Sequence, residues 1–276
     1  MENELLEKLL YEANLGRSDA NLELANYYQE EKEYDKAFMY AYKASMMYYP
    51  PAERKLGYFY EKGFGTNKNY YQAYRYYSLA ASHGDIPAKA NLGVLMIKGF
   101  GCEQDIEQGF NFVQEAAYAN NVQSVRVLAQ LYQKGIGVPS DLKKYYQYLL
   151  KAKELDDRTV YHSLGLCALN GIGIEKNIEL AYNYFSQGAD LKDKHCYYYL
   201  GVMNSNGIYV NKDIKQAAYW YQKGAMSDDS RCMFNIGLYY ENGIYVAKDI
   251  EKALYWYSKA ANADFEKAND KIKALS

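Results

Sequence analysis

Proline, cysteine and histidine are all scarce in this chain of 276 residues, which holds 4, 4 and 3 of them. So little proline leaves room for unbroken helices. The cysteines, Cys102, Cys167, Cys196 and Cys232, are too few and too unevenly spaced for a disulfide framework in a chain this long, and they suit a reducing compartment. No apolar run approaches membrane-spanning length. The opening MENELLEKLL places acids where a signal peptide carries basic residues. The expectation is therefore a cytoplasmic protein without membrane insertion. Excess positive charge is missing too: a formal net charge of −2 and a pI near 6.0 give no broad basic footprint for phosphates, which argues against nucleic-acid partners.

Apolar residues, by contrast, make up 49% of the chain, and 34 positions are tyrosine. Their distribution is periodic. Gly57, Gly93, Ala129, Gly165, Gly201 and Gly237 recur every 36 residues, the signature of a copied supersecondary unit. The residue before each anchor is Leu56, Leu92, Leu128, Leu164, Leu200 or Ile236, and two after it stand Phe59, Leu95, Leu131, Cys167, Met203 and Tyr239. That is an apolar stripe at helical spacing, with a small residue where a neighbouring helix can approach closely. We term this helix A. It should end at Gly63, Gly99, Gly135, Gly171, Gly207 and Gly243, which suit a left-handed C-cap.

After a loop of about six residues, helix B should begin behind Asn69, Asp105, Asp141, Asn177, Asp213 and Asp249, side chains able to accept from free N–H groups of a first turn. Four residues on come Ala73, Gly109, Tyr145, Ala181, Ala217 and Ala253, and three further Tyr76, Phe112, Tyr148, Tyr184, Trp220 and Trp256. Small-then-large spacing marks a packing face and assigns much of the tyrosine to structure. Ala129, Tyr145 and Pro139 depart from the pattern, so any local irregularity is expected near residues 120–155.

The text LGYFYEKGFGTNKNYYQAYRYYSLAASHGD from Leu56 and KALYWYSKAA from Lys252 resembles the Sel-1-like repeat family, relatives of tetratricopeptide repeats. The resemblance implies an all-α fold: a right-handed α-α superhelical solenoid of helix-loop-helix repeats, a single domain over residues 1–276. Residues 1–18 read as a leading helix, 19–50 as a short tetratricopeptide-like repeat, 51–265 as six units of 36 residues, and 266–276 as a polar capping helix. It also implies a non-enzymatic scaffold or adaptor that holds a protein or peptide, with no cofactor. Bacterial members act in signalling, in host interaction or as neutralising, immunity-type partners of toxins. Disulfide-rich members associated with β-lactam hydrolysis supply a second reading, but the paired cysteines of each repeat are missing here.

Several motifs have plainer explanations. The Gly-x-Gly segments at Gly63, Gly99, Gly135 and Gly171 follow a helix rather than a strand, and recur where a catalytic loop would be needed once, so they read as caps rather than phosphate cradles. His162, His195 and Cys196 carry zinc-compatible chemistry. Yet Cys196 and Cys232 occupy the phase of Ala52 and Ala88, which makes them small packing residues, and no metal is expected. No Gly-x-Ser-x-Gly arrangement is present.

By resemblance, helices A line a concave ligand face. The row of helix A left over from the core stripe lies three before, one after and four after each anchor. It carries Arg54, Tyr58, Val94, Arg126, Gln130, His162, Leu166, Leu169, Tyr198, Val202, Phe234 and Leu238. These are the candidate protein-binding residues: polar in the first half, apolar in the last three repeats. The same row could instead be core between repeats, and a trough of this kind also admits self-association.

Overall fold

The computed structural model describes residues 2–275, and the described residues form sixteen helices and no strand. The chain divides into two compact units, Met1–Asp141 and Leu142–Ser276. The first unit holds α1 (Glu2–Asn14), α2 (Ser18–Glu30), α3 (Tyr34–Ser45), α4 (Pro50–Lys62), α5 (Tyr70–Ser82), α6 (Ile86–Lys98), α7 (Ile106–Tyr118) and α8 (Val122–Lys134). The second holds α9 (Leu142–Glu154), α10 (Tyr161–Asn170), α11 (Ile178–Asp190), α12 (Lys194–Asn206), α13 (Ile214–Met226), α14 (Ser230–Asn242), α15 (Ile250–Asn262) and α16 (Lys267–Leu275). Even-numbered helices from α2 to α14 are helix A, and odd-numbered ones from α3 to α15 are helix B.

Each boundary has a chemical cause. The six glycines read as helix A caps all take left-handed backbone, with φ between 66° and 78°. Asn69, Asp105, Asn177, Asp213 and Asp249 each accept from the N–H three residues on, at 2.8–3.1 Å. The loop between the helices is pinned as well: the N–H at 69, 105, 141, 177, 213 and 249 donates to a carbonyl near the end of helix A, at 2.8–3.0 Å. The second glycine of the Gly-x-Gly pairs is explained by close approach. A Cβ at Gly65 or Gly101 would collide with the backbone at the start of the preceding helix B, at Tyr34 or Tyr70.

Where the anchor is glycine, helices A and B of the same repeat meet at it. A Cβ on Gly57 would sit 2.6 Å from the Tyr77 ring, and one on Gly237 would sit 2.5 Å from the Tyr257 ring. Gly165 abuts Phe185 and Gly201 abuts Tyr221 in the same way. All four rings are buried. They lie one residue beyond the aromatic series expected to face the core, of which only Tyr184 is buried. The ring on the core face thus sits about 100° round the helix from the expected one, while the small residues at Ala73, Ala181, Ala217 and Ala253 are buried as expected. Where the ring is absent, Gly93 packs directly against Gly109, whose carbonyl oxygen would lie 2.5 Å from an added Cβ.

Successive repeats meet at a second matched pair. Gly188 lies under the Cys196 thiol and Gly224 under the Cys232 thiol. Where helix B offers alanine instead, as at Ala80 and Ala260, the next helix offers Ala88 or Ala268. Volume lost on one helix is gained on the other, as close packing demands. Cys196 and Cys232 are thus packing residues, fully buried, their thiols pushed far above the ordinary range by burial and then by Asp193 and Asp229.

Gly201→Ala should test the anchor contact. Alanine gains about 1 kcal/mol of helix propensity, whereas forcing the Tyr221 ring aside costs about 1–3 kcal/mol, so the urea midpoint should fall. Adding Tyr221→Leu should cost less in that background than in the parent, giving a coupling of roughly 1 kcal/mol. Strict additivity would remove the contact from the account.

Candidate functional site

Every residue of the expected binding row lies at the surface or half-buried, and none is fully buried. In the first unit, Arg54, Tyr58 and Val94 line one groove of about 410 Å³ across α4, α6 and α8, together with Gln29 of α2. Arg126 and Gln130 are not part of that wall, to which α8 contributes Gln123 and Val127. The Arg54 guanidinium is already engaged: its Nε donates to Asp85 at 2.9 and 3.1 Å, and Asp85 also accepts from the Ala88 N–H as the N-cap of α6. The pair ties α4 to the start of α6. Free hydrogen-bonding capacity lies elsewhere in the groove. The Gln29 Oε1 is buried with no partner, and burial, followed by the nearby Arg54 charge, lowers the Lys55 ammonium from its ordinary value.

Glu61, four after its anchor, is organised by the core ring beneath it. The buried Tyr77 donates its hydroxyl to Glu61 at 2.9 Å, and Lys62 donates to the same carboxylate at 2.8 Å. Tyr257 and Glu241 repeat the arrangement in the second unit, where Lys271 donates to Glu241 at 2.9 and 3.0 Å. Burial pushes the Glu241 carboxyl up, but Tyr257 and Lys271 outweigh it and leave it below the usual range. The ring that packs on the anchor thus also fixes a carboxylate at the surface.

In the second unit, Tyr198, Val202, Phe234 and Leu238 are partly buried against a core that includes Tyr221 and Tyr257. Phe234 lies 5.3 Å from the Tyr257 ring and 5.0 Å from Phe265. Leu166 and Leu169 are half-buried. The inner faces of these residues belong to the core, and their outer faces remain accessible.

His162 is brought to His195, with ring centroids 5.2 Å apart, and to Tyr199 at 5.4 Å. Beyond them, Arg231 donates to Asp229 at 2.7 Å and stacks 4.3 Å above the Tyr198 ring. Burial alone would raise the Asp229 carboxyl, but the Arg231 guanidinium keeps it low. Among the described residues, no group of three or more His, Cys, Asp or Glu could hold a metal ion. None of the helices is long and apolar enough to cross a membrane.

A larger cavity of about 630 Å³, at which the sequence pattern does not point, lies on the helix B side of the first unit, between α3 and α5. Glu53 lines it. At its phase, other helices A hold Lys89, Val125, Tyr161, Tyr197 and Met233. A lone acid in a phase that is buried at Val125, Tyr197 and Met233 was the available signal.

Paired helices with an accessible helix A face define a helical-repeat module of the kind that holds other proteins. The Sel1 repeat model matches residues 18–49, 50–85, 86–121, 124–157, 161–193, 194–229 and 230–265, so the chain belongs to the Sel1 repeat family. Members of this family are generally protein-interaction scaffolds.

Among solved structures, a protective antigen of uropathogenic Escherichia coli with the same repeat fold matches at 28% identity and a TM-score of 0.78. The match covers 98% of this chain but only 59% of that one. A Sel1 repeat protein from Oxalobacter formigenes matches at 27% identity and a TM-score of 0.80, over 88% of this chain and 99% of that one. An immunity protein from Pseudomonas aeruginosa shares the fold alone, at 17% identity and a TM-score of 0.50, over 72% and 75% of the two chains. No curated protein matches the sequence.

His162 yields a pH prediction. Burial first, and then His195, lower its imidazole from 6.5 to about 4. Its Nε2 is buried without a partner, which agrees with a neutral ring. The unfolded chain therefore binds the extra proton in this interval, and stability falls as pH drops from 6.5 towards about 4. His162→Leu, which installs the residue held by Leu22 at the same phase, should flatten the dependence of the urea midpoint on pH across that window. An unchanged slope would reject the assignment.

Proposed function

We propose that this chain is a non-enzymatic scaffold that holds a protein segment against its helix A face. The observation that carries this reading is the groove of about 410 Å³ on that face of the first unit, where aromatic and aliphatic surface lies beside the unpartnered Gln29 oxygen. A bound segment can bury apolar side chains on Tyr58 and Val94 while its backbone N–H groups meet side-chain amides on the groove wall such as Asn91. In the second unit, the accessible faces of Leu166, Tyr198, Val202 and Leu238 present apolar surface on α10, α12 and α14. The family's general role as an interaction scaffold supports the same conclusion.

Capture experiments from the source cell provide the test. The intact protein should retain a partner that Asn91→Ala and Val94→Asp, both on the groove wall, each retain about tenfold less well, while their thermal midpoints stay close to that of the parent. Tyr255→Ala, an exposed substitution on helix B, should bind as the parent does. Loss of the partner through Tyr255→Ala, with full retention by the two helix A variants, would reverse the assignment. Phe234→Ala is unsuited to this test, because Phe234 packs on Tyr257 and Phe265 and its removal would loosen the core.

A further inference from the structure

The helix B side of the first unit carries a buried acid that the repeat pattern does not require. The Glu53 side chain is 1% exposed, in a helix phase filled by buried Val125, Tyr197 and Met233 in later repeats. Its partner is also specific to one repeat: His83 stands where Ala119, Leu155, Leu191, Ser227 and Ala263 stand elsewhere. The His83 Nδ1–H is shared between the two carboxylate oxygens at 3.1 and 2.9 Å. A carboxylate has about four acceptor sites, so one shared donor leaves most of its capacity unmet, and burying such a group is costly without further partners.

Glu53 forms part of the wall of the cavity of about 630 Å³ between α3 and α5, beside the rings of Tyr42, Tyr48 and Tyr76. A carboxylate flanked by aromatic faces favours a cation. The rim is apolar and open, with Met46 64% and Tyr48 80% exposed, which suits a macromolecular surface better than a small solute.

We infer that this cavity receives an arginine or lysine side chain of a protein partner, whose charge pairs with Glu53 while adjoining apolar residues contact Met46 and Tyr48. The site is separate from the helix A groove, and either can stand without the other. Arg75 lines the same cavity. Its positive charge opposes the incoming cation, so it limits affinity without contributing to recognition.

N-acetyl-arginine amide is a suitable probe, titrated into the intact protein and followed by amide chemical shifts, with N-acetyl-citrulline amide as its neutral isostere. Saturable shifts should concentrate in residues of α3, α4 and α5, and be absent with citrulline. Glu53→Gln, which keeps the size of the side chain and an acceptor for His83, should weaken binding about tenfold or more; Arg75→Gln should strengthen it. If Glu53→Gln disturbs the spectrum globally, the exposed substitution Tyr48→Ala replaces it and should weaken binding severalfold. Equal shifts with citrulline, shifts outside these helices, or undiminished binding by Glu53→Gln would overturn the proposal. Weaker binding by Arg75→Gln would do so as well, because it would mark an anion site.

Discussion

The contact between an anchor glycine and a buried ring is the constraint on which the repeat depends. At Gly57, Gly165, Gly201 and Gly237, the missing side chain is the space that Tyr77, Phe185, Tyr221 and Tyr257 occupy. Burying each ring contributes about 2–3 kcal/mol, and setting it against bare backbone also fixes the distance between the two helices. Closely spaced helices need tightly capped ends, supplied by the left-handed glycines and by the Asn and Asp side chains that open helix B. The joint between repeats follows the same rule, with Gly188 and Gly224 making room for Cys196 and Cys232.

This constraint reaches the surface through the tyrosine hydroxyls. Tyr77 and Tyr257 extend from the core to hold Glu61 and Glu241 on the helix A face. The residues that build the solenoid therefore also set the orientation of the polar groups a partner would meet. What varies between repeats is the remainder of that face: polar at Gln29 and Asn91, half-buried and apolar at Val202 and Leu238. A scaffold built from near-identical units derives its specificity from such variation.

Much of this was legible in the sequence, because helix periods, caps and small anchors are local and repeat at fixed spacing. The helix A caps fall at the expected glycines, and helix B opens at the expected Asn and Asp side chains. The ring opposite each anchor was harder to find. Its position holds Tyr77, Val113, Leu149, Phe185, Tyr221 and Tyr257 in turn, while the residue before it is uniformly aromatic and points one position off the true face. Ion pairs were hidden as well. The sequence gives no sign that Arg54 is tied to Asp85 across a repeat boundary, since that depends on how neighbouring repeats stack. Glu53 and His83 lie thirty residues apart and become a pair only once helices α4 and α5 are in place.

Hydroxyl-radical footprinting of the complex with its captured partner tests the central claim most directly, because the chain presents tyrosines on both faces. The account predicts reduced oxidation at Tyr58, Leu166, Tyr198 and Leu238 on helix A, with Tyr71, Tyr219 and Tyr255 on helix B unchanged. Protection confined to the helix B tyrosines, with the helix A row oxidised as fast as in the free protein, would contradict it.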